Sequence, residues 1–350
     1  MSENNMHTPM GTTGTASHAI KVLAYALLPA FLLLLILAPA APADENSERV
    51  GTRAFAFLKR DVGARAAALG GAFTGYADDA STLFYNPGAT VNLKGKRSIA
   101  GYQNFVAGIN AGFIGYLHPL SEREKAAVFI NYVDYGEFIR TDNTGTELGV
   151  FGGSSIVFGV NYSREFHSRL QAGGNFKLIY SNIGEFTASG AAIDLGVRYK
   201  IKDPPYGLRK RGYGAVGFAI QNLGGMISAY TATSDKDPLP ITFRLGGVAR
   251  LRGLPFSFAA DLILPVDNEI RIGVGAEYEE IKFLALRAGW SSFGGNFRSD
   301  VDDSPLAGFS FGVGFRLEHM NIGYSISPMN DLGESHRITL TRRFDPPRGP

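Results

Sequence analysis

Between Arg97 and Phe344 the chain repeats one pattern: short runs in which every second side chain is apolar. In Ala191 to Ile201 the odd positions are Ala191, Ile193, Leu195, Val197, Tyr199 and Ile201, and the even positions are Ala192, Asp194, Gly196, Arg198 and Lys200. Successive side chains of a strand point to opposite faces, so this is a strand with one apolar and one polar or minimal face. Ile270 to Glu279 repeats it, as do Leu170 to Tyr180, Ile241 to Leu251, Ala307 to Leu317 and Met320 to Ser327. About 14 such segments can be marked, each of roughly 9–11 residues, the length of a tilted membrane-spanning strand. They begin near 97, 110, 124, 153, 168, 191, 213, 240, 254, 269, 282, 307, 319 and 335.

Alternation suits a soluble sheet as well, so the connections must decide. With both ends of the strand series on one side, the odd-numbered connections face the other way. The long connections 135–153, 181–190, 222–240 and 292–306 are all odd-numbered, and the even-numbered ones are mostly short, with 201–212 the exception. An outer-membrane barrel has long outward loops and short inward turns, whereas a sandwich has no reason to keep that parity. Tyr162, Tyr180, Tyr199, Tyr278 and Trp290 stand near segment ends, as interfacial aromatics do. The expected fold is therefore all-β, a transmembrane antiparallel up-and-down barrel of about 14 strands. The charges on the polar face must then point into the lumen, and the candidates are Asp194, Arg198, Arg244, Arg271, Glu277 and Arg316. On this view Val197→Arg should be costly and Gly196→Ser mild.

Ahead of the barrel the pattern changes. Residues 22–38, VLAYALLPAFLLLLILA, are followed by Ala41-Pro42-Ala43, an export signal with a small-residue cleavage site. This divides the chain into a signal peptide at 1–43, a segment at 44–96, the barrel at 97–344 and a tail at 345–350. The second of these has no strand alternation. Gly70 and Gly71 follow small residues at helical spacing, Asp78 and Asp79 precede an apolar run, and Asn86-Pro87-Gly88 follows it. An acidic residue before an apolar run starts a helix, and Asn-Pro-Gly turns the chain. The expectation is a helical plug inside the lumen. Asp78 and Asp79 would cap a helix or offer carboxylates to lumen arginines such as Arg198 or Arg271.

Enzymatic chemistry finds no support. The 350 residues include no Cys, which excludes thiolate chemistry and disulfides. Gly308 to Gly312 fits the G-x-S-x-G pattern, but it lies within an alternating strand and no helix follows to make a nucleophile elbow. Asp300, Asp302 and Asp303 share one loop, more simply a solvated acidic loop than a Ca²⁺ site. No catalytic, cofactor-binding or metal residue is assigned, and no cofactor is expected. With 34 Lys plus Arg against 32 Asp plus Glu and no basic block, there is no footprint for nucleic acid. The partner that the outer face implies is outer-membrane lipid.

The stretch GARAAALGGAFTGYADDASTLFYNPGAT, residues 63–90, resembles the N-terminal segment shared by the PorV/PorQ proteins and the wider FadL-like barrels. Those carry a Gly-Ala-rich start, an Ala-Asp-Asp-Ala turn and an aromatic before Asn-Pro-Ala-Gly; here the last reads Asn-Pro-Gly-Ala. The closing LGESHRITLTRRF is similar to the last PorV/PorQ strand. The resemblance implies a 14-stranded outer-membrane barrel with an N-terminal hatch. PorV/PorQ membership implies an accessory of type IX secretion, with exported proteins or secretion components as partners. FadL-like membership implies a channel for long-chain fatty acids or other hydrophobic small molecules. The outward loops are short and polar, leaving little room for an apolar capture groove, which favours the first.

Overall fold

The computed structural model describes residues 51–202, 212–231, 235–250, 254–297 and 306–344. The signal segment, the C-terminal tail and the Asp300–Asp303 loop lie outside them. Fourteen strands run in order: β1 (Arg97–Asn104), β2 (Asn110–Pro119), β3 (Glu124–Thr141), β4 (Glu147–His167), β5 (Leu170–Ile183), β6 (Phe186–Lys202) and β7 (Tyr213–Ser228). Then come β8 (Thr242–Arg250), β9 (Phe256–Pro265), β10 (Arg271–Tyr278), β11 (Leu284–Ser291), β12 (Phe309–Arg316), β13 (Met320–Pro328) and β14 (Glu334–Arg343). Each pairs antiparallel with its neighbours, and β1 closes on β14 from Arg97↔Arg343 to Asn104↔His336. Closure leaves no open edge, as a sheet in lipid requires.

The barrel wall is apolar outside and polar inside. Along β6, Leu195 is 49% and Val197 41% exposed, whereas Asp194 is 3% and Arg198 6% exposed. The same inversion holds on β4, where Ile156, Phe158 and Val160 face out and Ser155, Asn161 and Ser163 are buried. In water this arrangement would expose a continuous apolar belt; in a bilayer the belt meets lipid and the charges stay away from it.

Two connections read as loops are largely strand, and a third, 222–240, is strand in its first part. β3 and β4 stay paired out to Thr141↔Glu147, so most of 135–153 is a projecting hairpin. Its tip closes where the Asp142 carboxylate accepts the Thr144 and Thr146 N–H groups at 2.8 and 2.9 Å. β5 and β6 are joined by only Gly184-Glu185, and β7 runs on to Ser228. Backbone pairing needs no membrane, so these strands continue past the belt. The rim bearing these hairpins is called the hairpin rim below, and the opposite one the terminal rim.

The described part of the segment before β1 lies in the lumen. It holds a 3₁₀ turn at Ala56–Lys59, the short helix α1 (Ala64–Ala68), and 3₁₀ turns at Ala80–Phe84 and Pro87–Asn92. Asp79 caps the third element by accepting the Ser81 N–H. Asn86 starts the fourth, with Pro87 in its first turn and the Asn86 Oδ1 accepting the Gly88 N–H. Asn-Pro-Gly, expected only to turn the chain, also opens a helical turn: proline's fixed φ suits the first turn, whose N–H is unpaired anyway.

Candidate functional site

An irregular segment in a lumen has backbone groups that no ladder satisfies, and buried ones must find partners. The wall supplies them. Asp261 accepts the Phe73 and Thr74 N–H groups at 3.1 and 3.0 Å. Thr339 Oγ1 accepts the Ala64 N–H at 2.8 Å. Asn175 donates to the Leu83 carbonyl at 3.0 Å, Gln221 to Phe84 at 2.8 Å, and Arg198 Nε to Gly75 at 2.7 Å. Thr90 shares its hydroxyl with Asn161 and Ser163.

One ion cluster ties plug and wall at the terminal-rim side. Arg65, on α1, meets Glu277 of β10 at 2.7 Å and Asp78 at 2.8 Å. Glu277, fully buried, is also held by Arg287 at 3.1 Å and Arg316 at 3.3 Å. Arg316 reaches Glu279 as well. The Arg65 guanidinium lies over the Tyr76 ring at 4.8 Å, and Tyr76 stacks on Phe73. Asp78 is 52% exposed, but into a cavity of about 200 Å³ enclosed by Arg287, Arg316 and neighbours. Burial alone would raise its carboxyl pKa; the charge and hydrogen bond of Arg65 outweigh that and hold it below the usual carboxylate range.

The other expected lumen residues have separate tasks. Asp194 pairs with Lys177 at 2.6 Å and accepts the Asn222 N–H at 2.8 Å, pinning a bulge in β7 where Asn222 has φ 62°. Arg244 pairs with Asp261 at 3.1 Å, donates to the Gly71 carbonyl at 2.6 Å and lies over Tyr85. Arg271 comes to 3.5 Å from Asp61 and lies over Phe293. Asp78 and Asp79 therefore do not bind Arg198 or Arg271. Arg65, thirteen residues away within the plug, takes Asp78, because α1 brings it back beside the Ala77-Asp78 turn. Sequence reasoning gave Arg65 no role; its only signal was a lone charge among alanines.

Glycines set how closely plug and wall approach. Gly70, at φ 66°, lies so near β11 that a Cβ there would meet the Trp290 carbonyl carbon at 2.7 Å. A Cβ on Gly196 would collide with Asn86 Oδ1, reach Pro87 Cδ at 2.7 Å and the Gly88 nitrogen at 3.0 Å. The expectation that Gly196→Ser is mild is therefore wrong: the inward position faces the Asn-Pro-Gly turn at contact distance.

Above the plug, toward the hairpin rim, is a cavity of about 330 Å³. Its walls include Phe57, Tyr85, Tyr135 and Phe293, with Lys59, Arg60, Arg244, Arg271 and Arg337 among them.

This geometry defines a class, the plugged 14-stranded membrane barrel. Solved structures with a similar fold include hydrocarbon channels. The Pseudomonas putida toluene transporter TodX superposes with a TM-score of 0.55 at 14% identity, over 81% of this chain and 98% of that one. The Ralstonia pickettii toluene transporter TbuX gives 0.53 at 13% identity over 81% and 98%, and the CymD monoaromatic hydrocarbon channel 0.51 at 12% over 81% and 97%. At such identities the likeness is one of fold. No protein-family model matches the chain, and no curated protein matches it in sequence.

These likenesses show the fold, and the PorV/PorQ secretion expectation finds no support in them. Short polar loops do not exclude a capture space here. The cavity is made by plug and wall, so a capture space does not need helical loops.

Proposed function

We propose that the chain is an outer-membrane channel for small hydrophobic molecules, exported by a signal at 1–43 and gated by the plug within 44–96. The cavity above the plug carries this reading: a partly open space walled largely by rings and aliphatic side chains, as small-molecule sites are. A hydrophobe arriving at the hairpin rim exchanges water for these walls, then needs the plug to shift before it can pass the Arg65–Glu277 cluster. The toluene transporters of the same fold support this choice of cargo. The motif resemblance to PorV/PorQ proteins is the sole support for secretion cargo, and no contact in the lumen favours a protein.

The test is uptake of radiolabelled toluene by cells expressing the chain, against a vector control and Ser310→Trp, which fills the cavity from β12. Faster initial uptake that Ser310→Trp abolishes is expected. Uptake equal to the vector control in cells whose outer-membrane fraction contains the protein sinks the reading. N-terminal sequencing of that fraction should begin near Asp44; recovery of residues 1–43 would refute export by cleavage.

A further inference from the structure

The cavity above the plug holds more positive charge than its surroundings neutralise. Lys59 is paired by Asp267 and Arg244 by Asp261. Arg271 has only Asp61, at 3.5 Å, and its Nε is buried without a partner. Arg337, on β14 and 6% exposed, donates to one neutral group, the Ser327 hydroxyl at 3.1 Å, and its Nε is also unpartnered. Arg60, in the plug, donates to the amide oxygens of Gln103 and Asn131, and its Nε has no partner. Among the described residues, five cations thus line the cavity against three carboxylates that pair with them.

Arg60 and Arg337 are the two without a carboxylate in salt-bridge contact, the charge of Asp61 acting on both from farther off, and they share one stretch of wall. Gln103, which accepts from Arg60, donates in turn to Ser335, two residues from Arg337 on the same face of β14. Burial, and after it the charge of Arg337, pull the Arg60 pKa down to about 10. A buried guanidinium held by neutral groups alone is costly, and a pair of them more so. The terminal N–H groups that these neutral partners leave over suit a planar carboxylate, which a guanidinium binds through two parallel N–H···O bonds. The rest of the wall is suited to a ring. Phe57, Tyr85, Tyr135 and Phe293 line the same space, and its volume is near the lower end for small-molecule pockets. That leaves room for a one- or two-ring acid more readily than for a long chain.

We infer that this cavity is a binding site for small aromatic carboxylates, with the acid group between Arg60 and Arg337 and the ring against the aromatic wall. The inference deepens the channel reading by naming an anionic cargo. It is tested by binding, so either can fail without the other.

The experiment titrates the purified full-length protein in detergent with sodium benzoate, benzyl alcohol, sodium chloride and sodium phosphate at matched ionic strength, by calorimetry and thermal melting. Benzoate should bind saturably and raise the melting temperature, with the other three much weaker. Arg337→Gln and Arg60→Gln should each weaken benzoate by roughly tenfold or more, as loss of a charge-assisted pair does. Arg337→Gln should melt no lower than the parent, since it removes an unmatched buried charge. Arg337→Lys, which keeps the charge but not the fork, should fall between parent and Gln variant and serves if the Gln variant does not fold. Chloride or phosphate matching benzoate would make this an inorganic-anion site. Benzyl alcohol matching it would make the charge irrelevant. Unchanged affinity in both Gln variants would move the acid elsewhere. Any of these overturns the inference. Benzoate binding without toluene uptake would sustain it while removing the channel reading for neutral hydrocarbons.

Discussion

Gly196→Ser and Val197→Arg are adjacent substitutions on opposite faces of β6, and they should fail in different ways. At position 196 a new Cβ would sit 2.7 Å from Pro87 Cδ and 3.0 Å from the Gly88 nitrogen, and would strike Asn86 Oδ1. Real Cβ contacts need more than this, and neither a proline ring nor a backbone nitrogen can swing away, so the plug turn must retreat. Retreat strains the Asn86 amide, which donates to the Thr74 and Val197 carbonyls at 3.0 Å each. Two buried hydrogen bonds at about 1 kcal/mol each and overpacking of about 1–3 kcal/mol put the cost at roughly 3–5 kcal/mol. That cost falls on plug docking, because the pairing of β6 with β5 and β7 is untouched. At position 197 the arginine would enter lipid, at a cost of about 2–4 kcal/mol near the midplane, and this falls on the barrel itself. The assay pairs heat-modifiable mobility on gels, which reports barrel formation, with conductance in planar bilayers, which reports the seal. Gly196→Ser should form barrels at the parent's yield but leak ions, and Val197→Arg should form fewer barrels, each sealed. A Gly196→Ser protein that is as silent and as resistant to melting as the parent would refute the close packing of plug on wall.

Deleting residues 61–90 should leave a protein that still inserts, because the lipid-facing residues are unchanged, and that conducts steadily where the parent does not; single-channel recording checks it. Arg65→Met should weaken plug docking by about 3 kcal/mol, the low end for breaking a buried pair, since Arg287 and Arg316 still face Glu277. Thermal melting of the parent and variant in the same detergent measures this. Asp78 has a depressed carboxyl pKa, so its contribution is present above the unfolded value near 3.9 and is lost as pH falls through the lower, folded one. Asp78→Asn should therefore raise leak conductance at pH 7, modestly because the side chain is half-exposed. Parent and variant should converge in acid well below pH 4, and a difference that persists there would count against the Arg65–Asp78 clasp.

The wall was legible before any coordinates. An extended chain must alternate its side chains, so the apolar series Ile193, Leu195, Val197 and Tyr199 fixed a face, and the charges between them fixed the other. The structure carries 14 strands that start close to the positions read from the pattern. Strand height was not legible, because alternation and pairing run past the membrane in β3 and β4 as they do within it. The plug could be located from its lack of alternation, and Asp79 showed itself as a cap because capping acts over two residues.

Partners in the lumen were beyond the sequence. Arg65 and Glu277 are 212 residues apart, and Thr74 and Asp261 are 187 apart. No local rule selects such pairs. They follow from the closure of β1 on β14, from the bulge at Asn222, and from how deeply the plug settles against Gly196. The sequence by itself determined which faces meet lipid and lumen, since that is set by the geometry of one strand. Only the tertiary structure decided which charges meet and which are left unmatched, since register and closure are properties of the whole ring.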